Sequence, residues 1–143
     1  MNPNLKMATL FAGVSATNGA TASGYVDTLG ADHVHIAISA ATANVVSNKP
    51  TVLKLQEADV TNSSSFADIS GAVGSTDFTI ANALTSLPNN YLFSVDCRKR
   101  KRYIQAVVSP QTTQIIAAVA LLGNLEEGAI NASKAGAQNY VEL

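Results

Sequence analysis

The feature that most constrains the fold is a period-two pattern of side chains that recurs between residues 91 and 123. Residues 91–96 place Tyr91, Phe93 and Val95 on one side of an extended chain and the intervening residues on the other. Residues 103–108 repeat the pattern, with apolar side chains at every even-numbered position. Alternation of this kind is typical of β-strands that cover a core with one face. The pattern therefore predicts two strands in this stretch.

A third strand is predicted over residues 114–122, which are apolar on both faces. Such a run is typical of a strand that is buried on both sides. Its Ala and Leu content also suits a helix, for which Gly123 would be a C-cap, but the β-branched Ile115, Ile116 and Val119 favour a strand. A turn signal at 109–111 precedes it. We therefore expect three strands in hairpin order, with the basic segment 98–102 at the tip that joins the first two.

Shorter candidate strands cover residues 5–11, 25–28, 32–41, 51–57, 65–69 and 78–80. Residues 13–24 are rich in Gly, Ser, Thr and Ala and are predicted to form a loop or a mobile arm. About eight short strands without a confident helix predict an all-β, single-domain antiparallel β-sandwich. We place this domain at residues 1–143, with its core at about 25–123 and a C-terminal arm at 124–143.

Composition predicts association with other proteins. Of 143 residues, 47% are hydrophobic but only 6% are aromatic and none is Trp, so the core is built from small side chains. Only 13% are charged, about half the usual share. A surface so poor in charge favours being covered, and we predict a homo-dimer or homo-trimer.

A single cysteine excludes an intramolecular disulfide. Neither a signal peptide nor a membrane span is expected.

The basic run Arg98, Lys99, Arg100, Lys101 and Arg102 holds five of the nine Lys and Arg residues. In an extended segment the three arginines would lie on one side and the two lysines on the other. The run is a candidate partner-binding site, and an acidic protein surface is the partner that it would suit. The simplest alternative is that it binds nothing and forms a solvated turn that blocks edge-to-edge pairing. Nucleic acid is disfavoured as a partner, because the rest of the chain adds only four basic residues and no ladder of aromatic side chains accompanies the run.

Other polar residues predict neither a cofactor nor catalysis. His33 and His35 share one face of a strand, but a metal site needs three or four convergent ligands and no third is specified. Cys97 lies beside the five cations, which would favour its thiolate, yet no nucleophile signature surrounds it. We therefore expect a structural thiol, no metal, no cofactor and no enzyme activity.

Several short segments together resemble the small jelly-roll decoration (cement) proteins of tailed-bacteriophage capsids. They are VDTLG at 26–30, LKLQEAD at 53–59, FADI at 66–69, KRYIQAVV at 101–108 and AAVALLG at 117–123. The resemblance implies a jelly-roll sandwich, made in the host cytoplasm and assembled as dimers or trimers on the outer face of the virion. There it would join neighbouring subunits of the major capsid protein, without catalysis.

An alternative from another functional class is a carbohydrate- or cell-surface-binding β-sandwich module of a phage fibre or adhesin. The absence of Trp, the usual platform for sugar stacking, weighs against it, although four Tyr are present.

Overall fold

The computed structural model describes residues 5–125, which form eight β-strands and two short 3-10 turns. The strands are β1 (Lys6–Ala16), β2 (Ala22–Asp27), β3 (Ala31–Ala40), β4 (Val52–Ala58), β5 (Ala67–Val73), β6 (Asn89–Asp96), β7 (Tyr103–Ser109) and β8 (Gln114–Leu125). Within these residues there is no α-helix, and the alternative helix at 113–122 is excluded by β8. The predicted all-β class is confirmed.

The strands form two four-stranded antiparallel sheets. Sheet A has the order β1-β8-β3-β6, and sheet B has the order β2-β7-β4-β5. Successive strands mostly alternate between the sheets, so the chain winds around a single core in the manner of a double-sheet jelly roll. The predicted sandwich is confirmed, with eight strands.

The core lies between the inner faces of the two sheets. In β3 the alternate residues Val34, Ile36 and Ile38 are almost fully buried, as their spacing predicted. Sheet B faces them with buried side chains at 53 and 55 in β4 and at 104, 106 and 108 in β7. Phe11 of β1 also joins this core. The alternation places every second side chain inward because a strand has a repeat of two residues.

The predicted hairpin at residues 91–108 is wrong. β6 pairs with β3 in sheet A, whereas β7 pairs with β2 and β4 in sheet B. The second predicted hairpin, between β7 and β8, is also wrong, because β8 pairs with β1 and β3 in sheet A. Residues 97–102 therefore cross from one sheet to the other instead of forming the tip of a hairpin. Crossing lets β7 cover the opposite side of the core, which a strand paired back onto β6 would leave open. A period-two pattern identifies a strand but does not say which strand it pairs with.

Two predicted boundaries near loops are also wrong. Most of 13–24 is strand, because β1 continues to Ala16 and β2 begins at Ala22. The small residues there serve other purposes: Gly13 has a φ of 53° next to a register shift in β1, and Gly24 lies against the backbone of Leu10. The candidate strand at 78–80 forms only one isolated bridge, from Phe78 to Gly74.

β8 is not buried on both sides. Ile116, Ala118, Ala120 and Leu122 are buried, but Ile115 and Leu121 on the outer face are exposed. β8 also includes Asn124 and Leu125, which the prediction had placed in the C-terminal arm. The rest of that predicted arm, 126–143, lies outside the described residues, as do residues 1–4.

Candidate functional site

The first candidate site is the basic loop, residues 97–102, which joins β6 to β7. It begins with a 3-10 turn at Cys97–Lys99, so the predicted extended alternation of arginines and lysines is wrong. Asp96 caps the turn by accepting a hydrogen bond from the Arg98 N–H at 3.1 Å. The Arg102 carbonyl accepts from both the N–H and the hydroxyl of Thr28, at 2.9 and 2.7 Å. These bonds fix both ends of the loop.

Four of the five cations in the basic loop pair with carboxylates of the same chain. Arg98 meets Asp96 at 2.8 Å, and Arg102 meets Asp27 at 2.7 Å. Both arginines donate two hydrogen bonds to their partner, the strong bidentate geometry. Arg100 and Lys101 lie 3.7 Å from the carboxylates of Glu57 and Asp59. Lys99 has no ion pair within residues 5–125.

These pairs neutralise most of the charge that the sequence concentrates in one run. The hydrogen bonds from Arg98 hold the pKa of the Asp96 carboxyl far below its ordinary value. The Arg102 guanidinium likewise lowers the pKa of Asp27. Both carboxylates therefore stay ionised near neutral pH and remain available to the arginines. The role of the five residues in binding a partner stays a prediction, and Lys99 is the cation whose charge is least compensated.

Cys97 is buried at the start of the basic loop. Burial is the main cause that raises the pKa of its thiol to about 11. This is opposite to the thiolate that neighbouring cations were expected to favour, because burial opposes ionisation of the thiol and the negative charges of Asp96 and Asp32 oppose it further. A neutral, buried thiol fits a structural role.

His33 and His35 lie together on the outer face of β3, with ring centroids 5.6 Å apart. Asp96 of β6 is paired with His33 across the sheet. Throughout the part of the chain that the structure describes, no group of three or more His, Cys, Asp or Glu side chains is placed to hold a metal ion. The same residues contain no helix long and apolar enough to cross a membrane.

The second candidate site is the outer face of sheet A, which we call the apolar face. It is formed by Met7 and Thr9 of β1, Ile115, Ala117, Val119 and Leu121 of β8, Ala37 and Ser39 of β3, and Leu92 of β6. One row of this face runs straight across the sheet through Thr9, Val119, Ala37 and Leu92. Leu92 is 70% exposed and Ile115 is 59% exposed. No charged residue stands in these positions.

The outer face of sheet B is the natural comparison, because it belongs to the same fold. There Lys54 and Asp68 form an ion pair at 2.8 Å, and Gln56 donates to the same carboxylate at 2.8 Å. Two outer faces of one sandwich would both be polar if both met only water. The outer face of sheet A lacks such ion pairs at the positions named above, so the apolar face is suited to contact with protein.

Sheet B also carries an aromatic patch, formed by Tyr25, Phe66 and Tyr103. The Tyr25 ring lies 5.9 Å from that of Phe66 and 5.8 Å from that of Tyr103, and about half of Tyr25 is exposed. Beside it is an open depression of about 490 Å³, lined by hydroxyl and amide side chains that include Ser63 and Gln105. An aromatic ring next to hydrogen-bonding groups is able to bind the face of a polar ring-shaped ligand.

The apolar face was not predicted from the sequence, although its signal is present there. Residues 114–122 are apolar on both sides, and this was attributed to burial within the protein. A strand that is apolar on both sides but has only one side covered indicates an external partner. The aromatic patch was missed because Tyr25, Phe66 and Tyr103 belong to three separate segments, which only the fold brings together.

Comparisons with known proteins leave the family open. No protein-family model matches the chain, and no curated protein matches it in sequence. Among solved structures, it is similar to a xylan-binding module CBM15 (14% identity, TM-score 0.45, covering 85% of this chain and 78% of that one). It is also similar to a family GH115 4-O-methyl-α-glucuronidase (13% identity, TM-score 0.38, 85% of this chain but 16% of the enzyme). A third similar structure is the Tobacco streak virus coat protein (8% identity, TM-score 0.34, 88% and 90%). Similarities this weak do not bear on function.

Proposed function

We propose that this protein is a structural component of a virion, which decorates the outer surface of a tailed-phage capsid and cements neighbouring major capsid protein subunits. It acts mechanically: burial of its surfaces against other proteins adds to the cohesion of the shell. The sequence segments that resemble decoration proteins support the class. The apolar face is the structural observation that carries the proposal, since an uncharged sheet surface of this breadth is suited to lasting protein contact.

A cement protein needs a second surface, and we assign the basic loop to the shell. Its backbone is held by Thr28 and capped by Asp96, so it would reach a partner already ordered and would lose little entropy on binding. Lys99 would carry most of the attraction to an acidic shell surface, because the other four cations already have partners.

The copy number on virions tests the proposed function directly. Quantitative mass spectrometry of purified virions should find this chain in hundreds of copies, at a fixed ratio to the major capsid protein. A chain that is absent, or present in only a few copies per particle, would exclude the cementing role.

The assignment of the basic loop has its own test. Lys99→Glu should lower the occupancy of undecorated capsids and make binding more sensitive to salt, since charge attraction is screened over about 8 Å at 0.15 M. Lys49→Glu, in the connection between β3 and β4 near the opposite end of β7, is the control with the same charge change. Equal binding of both variants across a salt titration would show that the basic loop is a solvated turn and does not bind the shell.

The aromatic patch favours a second candidate function, the carbohydrate-binding module. Sugars present an apolar face that stacks on an aromatic ring, and Tyr25 offers an exposed ring beside amide and hydroxyl side chains. Titration with oligosaccharides, followed by amide NMR shifts at 23–25 and 103–105, would test it. Tyr25→Ala should abolish binding and Tyr25→Phe should retain it. Unchanged spectra across a broad panel of glycans would eliminate this candidate.

A further inference from the structure

We propose that the apolar face is the interface at which two copies of this chain pair, sheet A against sheet A. The inference deepens the proposed function and rests on it for the role of the pair on the shell. The pairing itself is independent of any capsid and can be measured on the purified protein.

The size of the apolar face matches what a specific pair requires. Sheet A has four strands, about 19 Å across at 4.8 Å per strand, and its apolar rows extend about 23 Å along residues 115–121 of β8 at 3.3 Å per residue. The flat area is therefore about 440 Å² per copy and about 900 Å² in a pair, close to the lower limit of about 1,000 Å² for a specific interface. Packing of two sheets face to face is also a standard arrangement of β-proteins.

The shape of the apolar face, with projecting and recessed parts, suits contact with a second copy of the same face. Thr9, Ala37 and Val119 line a shallow depression of about 330 Å³. Leu92 and Ile115 project from the same face beside it. A two-fold interface uses one patch twice, so that patch must contain both projecting and recessed parts. The apolar face contains both.

The distribution of charge favours a copy over an unrelated partner. The apolar rows contain no charged side chain, so the two copies would meet without repulsion and without burying an unpaired ion. His33 and Asp96 lie one row beyond Leu121, at the end of the face, where they would remain at the rim. His35 shares a row with Met7 and Leu121, and Ser94 and Asn90 of β6 lie at the edge of the sheet. A polar rim around an apolar centre is the usual anatomy of a stable interface. A face that pairs with itself closes at two copies, so we infer a dimer and not a trimer.

Sedimentation of the full chain, without capsids, tests the pairing. The wild type should be a dimer at about 100 µM, a concentration above the Kd of most specific pairs. Leu92→Lys with Ile115→Lys should weaken it by about 100-fold or more, because each change occurs twice in a symmetric pair. Both residues are exposed in the single chain, so the variant should retain the wild-type circular dichroism spectrum.

Matched controls separate the apolar face from general surface apolarity. Leu29 is 71% exposed and Leu87 is 61% exposed, close to the values of Leu92 and Ile115, but both lie in connections outside the strands. Leu29→Lys with Leu87→Lys should leave the dimer intact. If both double variants, or neither, lose the dimer, the apolar face is not the interface.

Cross-linking locates the interface within the dimer. Ala117→Cys, at the centre of the apolar face, should give a covalent dimer with a short bis-maleimide, whereas Val60→Cys, in the connection between β4 and β5, should not. The buried Cys97 contributes no background. A dimer that Ala117→Cys does not cross-link would place the interface elsewhere and overturn the proposal. A monomer at all concentrations that still decorates capsids would overturn the pairing and leave the proposed function in place.

Discussion

Replacement of Gly24 by Ala should destabilise the protein far more than the same change at Gly123. Gly24 lies on β2 where β1 passes over it. A Cβ atom at this position would be 2.1 Å from the carbonyl oxygen of Leu10 and 2.6 Å from its carbonyl carbon. Real Cβ atoms do not come closer than 3.0 Å to a neighbour, so β1 would have to move by about 1 Å. The obstacle is backbone, which cannot rotate away as a side chain can.

The magnitude follows from overpacking of a close-packed interior, which costs about 1–3 kcal/mol. We expect the upper end, about 3 kcal/mol, because Leu10 lies in a bulge whose two flanking residues, Thr9 and Phe11, are both paired with β8 and limit its movement. For a chain of this size the melting temperature should fall by about 6–12 °C. β1 also contributes Met7 and Thr9 to the apolar face, so the variant should weaken pairing as well.

Gly123 provides the matched control. A Cβ there would be 3.6 Å from the Leu5 side chain, an ordinary contact. Gly123→Ala should be neutral or should stabilise by about 0.4–1 kcal/mol, through the reduced entropy of the unfolded chain. Urea unfolding at one fixed low protein concentration measures both, since pairing would otherwise add to the apparent stability. Equal free energies of unfolding for the two variants would refute the close approach of β1 and β2.

Three further predictions concern the surroundings of the basic loop. Cys97 should react with Ellman's reagent at pH 8 only as fast as the protein unfolds, because burial raises the pKa of the thiol to about 11; rapid labelling of the native protein would contradict this. Thr28→Val should cost about 1 kcal/mol, since it removes the buried hydroxyl that donates to the Arg102 carbonyl, and should speed amide exchange at 100–102; unchanged exchange would show that the loop is held elsewhere. Asp27→Asn should reduce the loss of unfolding free energy at acid pH. The Arg102 guanidinium lowers the pKa of Asp27 in the folded state. The stability that the ionised Asp27 contributes is therefore present above its ordinary pKa of 3.8 and is lost as the pH falls through the folded pKa. A profile below pH 4 that matches the wild type would count against this ion pair.

The sequence alone determined the local structure of this protein. The alternation in residues 32–41 and 103–108 indicated strands and the buried side of each, because a two-residue repeat is a property of the extended chain itself. The approximate number of strands and the sandwich class followed from the spacing of such segments, whereas the jelly roll was implied by the resemblance of short motifs to decoration proteins. The buried Ile36 and Ile104 were therefore predictable from their neighbours in the sequence.

Only the tertiary structure decided which strands pair and what each surface meets. β6 and β7 are consecutive and alternate in the same way, yet they join different sheets, since pairing depends on covering a shared core and not on local pattern. The cations at 98–102 appeared to be one charged block, but their partners Asp27, Glu57 and Asp59 lie far away in the chain. The sequence shows that residues 114–122 are apolar on both sides. Only the position of β8 inside sheet A, with one side turned outward, shows that this second side is exposed in the single chain.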